Sequence, residues 1–420
     1  MERSMAYGTT HSQAADTIPV HITDQSALCA REEDDFRVDM LVDAGARVEQ
    51  GAPVLRSRRH NELMLVAPVA GEVASVDLGP GKRLSQVVFF HASGNGRRTY
   101  DVAALRSGAN PAEIRAALLS SGLWPLLRSR PFGRFPLPGE VPAAIVVMAA
   151  DTRPGASPPA LALAGREEDF ERGMAAISTL TSGPLLLCRD AGSMRAGPAV
   201  NFGKAVVVDV APAHPRGLPG LQIARRCPAT VEHPVWDIHA EDVAGIGAFL
   251  STGLVPETKL VSMTGDALRE SMLVRCQPGA DLRALCFDIV KPGPHRLLSG
   301  SEIDGVESRW LTTLARQLAA VKMPGIAPRP HWFATALRRS GRPLPIIPTA
   351  ALDQAFASML PAAPLVRALA ANDAETAVRL GALSLVEEDL ALADSMTGAT
   401  PRLASMLRAM LDRIEVEGVA

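Results

Sequence analysis

Aromatic residues make up only 4% of this chain, just two of them tyrosine, and the net charge is −2. Nucleic-acid binders need a basic surplus and ring faces on which bases stack, so that class is excluded. Long apolar runs are missing too. The longest, Val141 to Ala150, falls well short of the roughly 20 residues a membrane-crossing helix needs. Met1 to Asp16 lacks the basic start and apolar core of a secretory signal, which predicts a cytoplasmic chain. The five cysteines, Cys29, Cys188, Cys227, Cys276 and Cys286, are scattered and form no CxxC pair. No cysteine-held metal or cluster is expected, and they read as small buried apolar residues. Neither a GxSxG elbow nor a kinase signature occurs. Gly79-Pro-Gly81-Lys82 lacks the upstream glycine and following Ser/Thr of a phosphate loop and reads as a hairpin turn. Independent hydrolase or phosphotransferase activity is therefore not expected.

Present instead is the balance of a folded protein, 47% hydrophobic and 21% charged, in a 420-residue chain. That length implies roughly three or four domains, each with its own core. Phe36 to Phe90 alternates in short β-type runs broken by turn signals at Gly45, Gly51 and Gly79–Gly81. The phrases VDAGARVEQGAPVL and APVAGEVASVDLGPGKRL suit a small two-halved sandwich of the lipoyl or biotinyl kind. Carriers of that kind present a lysine on the hairpin between the halves. Here Ser57–Glu62 holds none, so covalent lipoyl or biotin loading is not expected.

A helix is predicted after Asn110, with Pro111 at its first position, Glu113 completing a capping box, and Ile114, Ala117 and Leu118 on its apolar face. β-like runs at Ala143–Met148, Pro184–Cys188 and Lys204–Val210 then alternate with helical stretches at Glu167–Leu180 and Ala240–Ser251, the latter ended by Gly253. This alternation predicts an α/β layer on a largely parallel sheet. Leu260 to Val321 reads as a small β-grasp-like unit and Pro324 to Pro345 as a connector. The last quarter reads as helical. Asn372 and Glu375 form a capping pair, and Thr400-Pro401 opens a final helix with Leu403, Met406, Leu407, Met410 and Ile414 on one stripe.

Five phrases, in order, carry a resemblance: APVAGEVASVDLGPGKRLSQVVF (67–89), SGLWPLLRSRPFGRFP (121–136), HPRGLPGLQI (214–223), VEEDLAL (386–392) and MLRAMLDRIEVEG (406–418). From about Asp39 to Gly418 the chain resembles the A-subunit family of the sodium-translocating NADH:quinone oxidoreductases. The resemblance implies an α/β multidomain chain: an arm over 1–20, a barrel-sandwich hybrid over 21–105, a Rossmann-like domain over 106–259, a soluble-ligand-binding β-grasp domain over 260–328 and a helical domain over 329–420. It also implies a peripheral subunit on the cytoplasmic face of the bacterial inner membrane. The whole complex would be a translocase that oxidises NADH, reduces ubiquinone to ubiquinol and exports Na+. NADH, flavins and iron–sulfur centres would belong to other subunits, with no cofactor bound covalently in this one. Its role would be in ubiquinone access or reduction or in assembly, the alternative being a non-catalytic scaffold. Two departures stand out. MERSMAYGTTHSQAADTIP replaces the family's opening strand, and Ala393 stands where the family often keeps a cysteine.

Related NADH- and flavin-binding subunits hold the flavin phosphate with a glycine-rich loop. The corresponding stretch here, Trp124 to Arg134, has one glycine and three arginines, so a dinucleotide cradle is not expected. Arg128, Arg130, Phe132 and Arg134 are the candidate quinone contacts, the arginines polarising the carbonyl oxygens and Phe132 packing on the ring. The competing reading makes these arginines ion-pair partners of a neighbouring subunit or of the chain's own acidic helices. His214 is a candidate proton donor to a reduced quinone, or else part of a structural His-Pro turn. His233, Asp237 and His239 match no zinc spacing and read as a polar loop broken by Pro234.

Overall fold

A computed structural model of the chain describes residues 18–30, 36–92, 94, 96–107, 110–192, 205–323 and 350–417. Most of the arm and the whole connector Pro324–Pro345 lie outside the described residues, as does Lys204 of the third β-like run.

The first unit folds as two facing sheets. Strands β1 (Gln25–Cys29), β7 (Arg83–His91), β6 (Gly71–Gly79) and β3 (Arg47–Val48) form one, in that order, and β2 (Val38–Met40), β4 (Pro53–Ser57) and β5 (Met64–Val66) form the other. Alternation aims Val38, Val54, Val73, Val87 and Phe89 inward, all buried. The predicted turn joins β6 to β7, with Gly81 at φ 68°. Despite the divergent opening, β1 pairs with β7 along its full length.

The second unit runs α1 (Pro111–Ser120), β8 (Arg128–Arg130), β9 (Ala144–Ala149), α2 (Pro159–Leu163), α3 (Glu167–Ser178), β10 (Leu185–Asp190), β11 (Val206–Val210), α4 (Pro219–Arg226), β12 (Val235–His239) and α5 (Ala240–Thr252). The capping box on α1 forms as expected: Asn110 Oδ1 accepts from Glu113 N at 2.9 Å, and Glu113 Oε2 accepts from Asn110 N at 3.1 Å. The sheet order is β11-β10-β9-β12-β8, parallel except for β8. Connections leave β9 first to one side and later return to the other, so a crevice opens beyond the carboxyl ends of β9 and β12. The stretch read as a polar loop is corrected here. Residues 235–239 form β12, a strand paired on both sides, and Pro234 stands just before it, where a missing N–H does no harm.

The third unit contains β13 (Lys259–Thr264), β14 (Met272–Cys276), α6 (Leu282–Cys286), β15 (His295–Ser299), β16 (Val306–Glu307) and β17 (Gln317–Lys322), its mixed sheet ordered β14-β13-β17-β15-β16. The last unit is helical: α7 (Ala350–Ala355), α8 (Ala362–Ala370), α9 (Ala374–Arg379), α10 (Glu387–Thr397) and α11 (Leu403–Glu417). Its core takes in Leu218 and Leu221 at α4, which ties it to the second unit. The stripe on α11 is buried at Leu403, Leu407, Met410 and Ile414. Two caps differ from expectation. Asp373, not Asn372, caps α9, accepting from Thr376 N at 3.0 Å, because Asn372 takes the left-handed conformation (φ 55°) that ends α8. The first N–H groups of α11 are satisfied by Asp394 of α10, at 2.5 and 3.1 Å, instead of by Thr400. Of the cysteines, Cys188, Cys276 and Cys286 are buried, Cys29 and Cys227 are half-buried, and all five are free.

Candidate functional site

Three features converge where the units meet. The first is a charged seam under the C-terminal helices. Arg128 and Arg130 both point from β8 to one side of the sheet and share Asp237, directly across on β12. Arg128 Nη2 lies 3.0 Å from Asp237 Oδ2 and 2.7 Å from Glu388 Oε1. Arg130 Nε lies 2.9 Å from Asp237 Oδ1, and its Nη1 lies 2.9 Å from Asp389 Oδ2 and donates to Ser384 O at 3.3 Å. Asp389, wholly buried, also accepts from Val386 N and from Gly220 N at the start of α4. Burial alone would push Glu388 up, but the Arg128 guanidinium holds it down at about 2.

The candidate quinone contacts named from the sequence therefore divide. Arg130 is 0% exposed, its charge met from both sides by Asp237 and Asp389. Phe132 packs against the core of the helical unit, and its carbonyl accepts from Arg408. Arg134 reaches Glu415 at 2.6 Å. These contacts are all within the chain, to Asp237 on β12 and to the C-terminal helices. Arg128 also lines the polar cleft described next. His214 stands apart from the arginines, near Asp151, Arg153 and Asp304, with its Nδ1 buried and unpaired and its pKa pushed below the usual value by burial.

The second feature is a small polar cleft in the crevice beyond β9 and β12. Arg128, Asp151, Arg153, His239, Asp242, Arg316 and Glu388 line it. Its charges are paired: Arg153 with Asp151 at 2.5 Å and Asp304 at 3.5 Å, Arg316 with Glu241 at 3.0 Å and with Asp242. His239 caps α5, its Nδ1 accepting from Glu241 N at 3.2 Å, so the ring is neutral with its proton on Nε2. Burial, reinforced by Arg316, pushes its pKa down to about 3. Below the ordinary imidazole value of 6.5 the unfolded chain takes up a proton that the folded chain refuses. Stability should therefore fall as pH drops from there toward 3. Urea unfolding at pH 7 and pH 5 checks this: His239→Asn keeps a capping oxygen and is expected to lose part of the decline, whereas an unchanged decline would remove His239 as a cause.

The third feature is a larger cavity, about 150 Å³, at the junction of the first three units. Its walls are mainly apolar: Leu28, Phe36 and Val66 from the sandwich, Leu123, Leu126 and Phe135 from the segment around β8, and Leu311 and Leu314 from the third unit. Lys259, Glu241, Asp242 and Arg316 supply its polar side. It shares Leu126, Asp242, Leu314 and Arg316 with the polar cleft, so the two adjoin. Sequence reasoning missed these residues. A usable signal existed for Lys259: by count only five of the 43 basic residues are lysine, and this one opens the apolar run Lys259-Leu-Val-Ser-Met263. In the sequence Asp237 stands out only beside two histidines, and Glu388 and Asp389 only within the phrase VEEDLAL; their pairing with the arginines is brought about by the fold alone.

Among the described residues no helix is long and apolar enough to cross a membrane, and no group of three or more His, Cys, Asp or Glu could hold a metal ion. Residues 109–255 match the family described as NqrA second alpha/beta domain, and residues 10–91 that described as NqrA N-terminal barrel-sandwich hybrid domain. The A subunit of the Na(+)-translocating NADH-quinone reductase of Histophilus somni (strain 129Pt) is 30% identical over 423 residues, covering 93% of this chain and 94% of its own. The protein of that name from Shewanella amazonensis (strain ATCC BAA-1098 / SB2B) is 30% identical over 413 residues, 91% of each chain. A solved chain of the NAD+-reducing [NiFe]-hydrogenase in the air-oxidized state aligns with 75% of this chain and 67% of its own at 13% identity and a TM-score of 0.38, too distant to bear on fold or function. With the curated relatives matched almost end to end, the chain belongs to the NqrA family, the A subunits of the Na(+)-translocating NADH-quinone reductases.

Proposed function

We propose that this chain is the peripheral A subunit of a complex that oxidises NADH, reduces ubiquinone to ubiquinol and exports Na+, and that it contributes a place for the quinone head group. In this reading it works on the cytoplasmic face of the bacterial inner membrane, with flavins and iron–sulfur centres on the other subunits. The near full-length likeness to curated A subunits supports the role in the complex. The strand order β11-β10-β9-β12 supports a Rossmann-like second domain over 106–259, and the order β14-β13-β17-β15 around α6 supports a β-grasp third domain over 260–328. The sandwich over 21–105 and the helical domain over 329–420 complete the division.

The observation that carries the quinone reading is the junction cavity, mostly apolar with a few polar groups on one side, as sites for small ring ligands are. Its volume is of the order that admits a single benzene ring, about 150 Å³. Of the five contacts named from the sequence, the reading assigns Arg128, Arg130 and Arg134 to holding the C-terminal helices and Phe132 to their core. His214 keeps a place beside the polar cleft. Quinone contact falls to the cavity residues instead. Leu314→Trp, which fills the cavity, is expected to raise KM for a short-chain ubiquinone in the complex by about tenfold, the loss of ~1.4 kcal/mol of binding. NADH oxidation by an artificial acceptor should be unaffected. An unchanged KM would leave the chain a scaffold of the complex.

A further inference from the structure

Lys259 is the first residue of β13 and stands in the cavity wall, 6% exposed. Its Nζ donates to the carbonyls of Thr312 at 3.1 Å and Thr313 at 2.9 Å. An ammonium carries three N–H donors, so one is left over. Among the described residues no carboxylate lies within ion-pair distance of it. The groups facing it are Cys276, its cross-strand partner on β14, Arg316 just before β17, and Glu241 and Asp242 on α5. Both carboxylates are already committed: Glu241 accepts from Arg316, Arg275 and Leu260 N, and Asp242 pairs with Arg316. Arg316 is thereby occupied as well. Arg166, also in the cavity lining, is half-buried instead of enclosed.

A buried cation without a counter-ion is costly, and proteins rarely keep one for packing alone. Lys259 is held by two carbonyls beside an empty volume, with one donor unassigned. What completes such a site is an acceptor oxygen on a compact, uncharged, largely apolar molecule. An anion would gain the ammonium but would lie near Glu241 and Asp242. A hydrocarbon would leave the donor unmet. A ring carbonyl satisfies both requirements.

We propose that Lys259 recognises the ligand of the junction cavity by donating an N–H hydrogen bond to a carbonyl oxygen of a quinone-type ring packed against Phe36, Val66 and Leu126. This rests on the quinone reading above and deepens it. Desolvation, with Arg316 adding repulsion, pushes the amine down to about 7, so it titrates in the neutral range. The charged form makes the stronger hydrogen bond. Affinity is therefore highest below pH 7 and declines as pH rises through it.

The test is calorimetric titration of the full chain with a soluble short-chain ubiquinone at pH 6 and pH 8, for the wild type, Lys259→Met, Lys259→Arg and Leu314→Trp. The wild type is expected to bind several-fold more tightly at pH 6. Lys259→Met should bind about tenfold more weakly, with no difference between the two pH values, as follows from losing a charge-assisted hydrogen bond. Lys259→Arg should recover part of the affinity without the pH dependence, because a guanidinium stays charged. If Leu314→Trp abolishes binding while Lys259→Met binds like the wild type with the same pH profile, the role of Lys259 is overturned and the cavity reading stands. Unaltered binding by Leu314→Trp, or none by the wild type, overturns both. Should Lys259→Met fail to fold, the wild type decides: equal affinity at pH 6 and pH 8 overturns the proposal.

Discussion

Asp389→Ala is expected to destabilise the folded chain by about 3–5 kcal/mol, the usual consequence of taking one partner from a buried ion pair. The carboxylate is wholly buried and serves three donors from three parts of the chain: Arg130 on β8 at 2.9 Å, Gly220 N at the start of α4 at 3.2 Å, and Val386 N at the start of α10 at 2.9 Å. Removing it leaves two helix-end N–H groups without acceptors and Arg130 with only the Asp237 carboxylate it shares with Arg128. A cavity is left as well, since Asp389 packs so tightly on Gly220 that a Cβ there would lie 2.1 Å from its Oδ2. Urea unfolding of Asp389→Ala, Asp389→Asn and Arg130→Met separates the contributions. The asparagine keeps an acceptor for the backbone donors and loses only the charge, so its loss should be smaller. A double variant of Arg130→Met with Asp389→Leu is expected to recover much of the stability, because removing both charges also removes their desolvation cost. A loss below about 1 kcal/mol in Asp389→Ala would mean that the seam does not hold the helical unit to the sheet.

The same seam shows why part of this molecule could not be read from its sequence. The capping box of α1, the glycine stop of α5 at Gly253 and the apolar stripe of α11 were legible because each depends on residues of a single helix and its immediate ends. β8 was not. Its whole sequence is Arg-Ser-Arg, and it becomes a buried strand only because Asp237 and Asp389 arrive from 107 and 259 residues away. β12 was hidden for the matching reason. Asp237 and His239 mark it as polar, and nothing local reveals that Asp237 is to be neutralised by two arginines. The candidate site follows the same rule. The arginines read from sequence as candidate contacts for a ligand, but whether a cation is free to make one is decided by its tertiary partners, here Asp237, Glu388 and Asp389. Lys259 carries a signal, a rare lysine opening an apolar run, but only the fold places it in a cavity wall. At α9 the error was smaller: Asn372 and Asp373 both suit a helix start, and local sequence alone does not say that Asn372 is needed to end α8.

Gly247→Ala is expected to cost about 3 kcal/mol or more, at or above the upper end of ordinary overpacking, although alanine is otherwise the better helix former by about 1 kcal/mol. Helices α3 and α5 cross with their backbones in contact. A Cβ on Gly247 would lie 1.8 Å from the carbonyl oxygen of Asp169 and 2.8 Å from Gly173 N, and a Cβ on Gly173 would lie 2.0 Å from the carbonyl oxygen of Val243. The atoms met are backbone, so no side chain can turn aside, and relief requires the helices to move apart. Separation would loosen Phe170, Met174 and Ile177 on α3 and Val243, Ile246 and Leu250 on α5, all buried in the main core. It would also shift the start of α5, where Glu241 and Asp242 grip Arg316 and border the junction cavity. The substitution should therefore lower the thermal midpoint by several degrees and weaken quinone binding together. Gly245→Ala on the same helix is the control: its nearest neighbour would be the Pro256 side chain at 3.0 Å, which can give, so a much smaller effect is expected. Equal losses from the two would show that the backbone contact at the crossing does not set the cost, since helix propensity favours alanine at both positions. Midpoints measured by circular dichroism on the two variants decide between these.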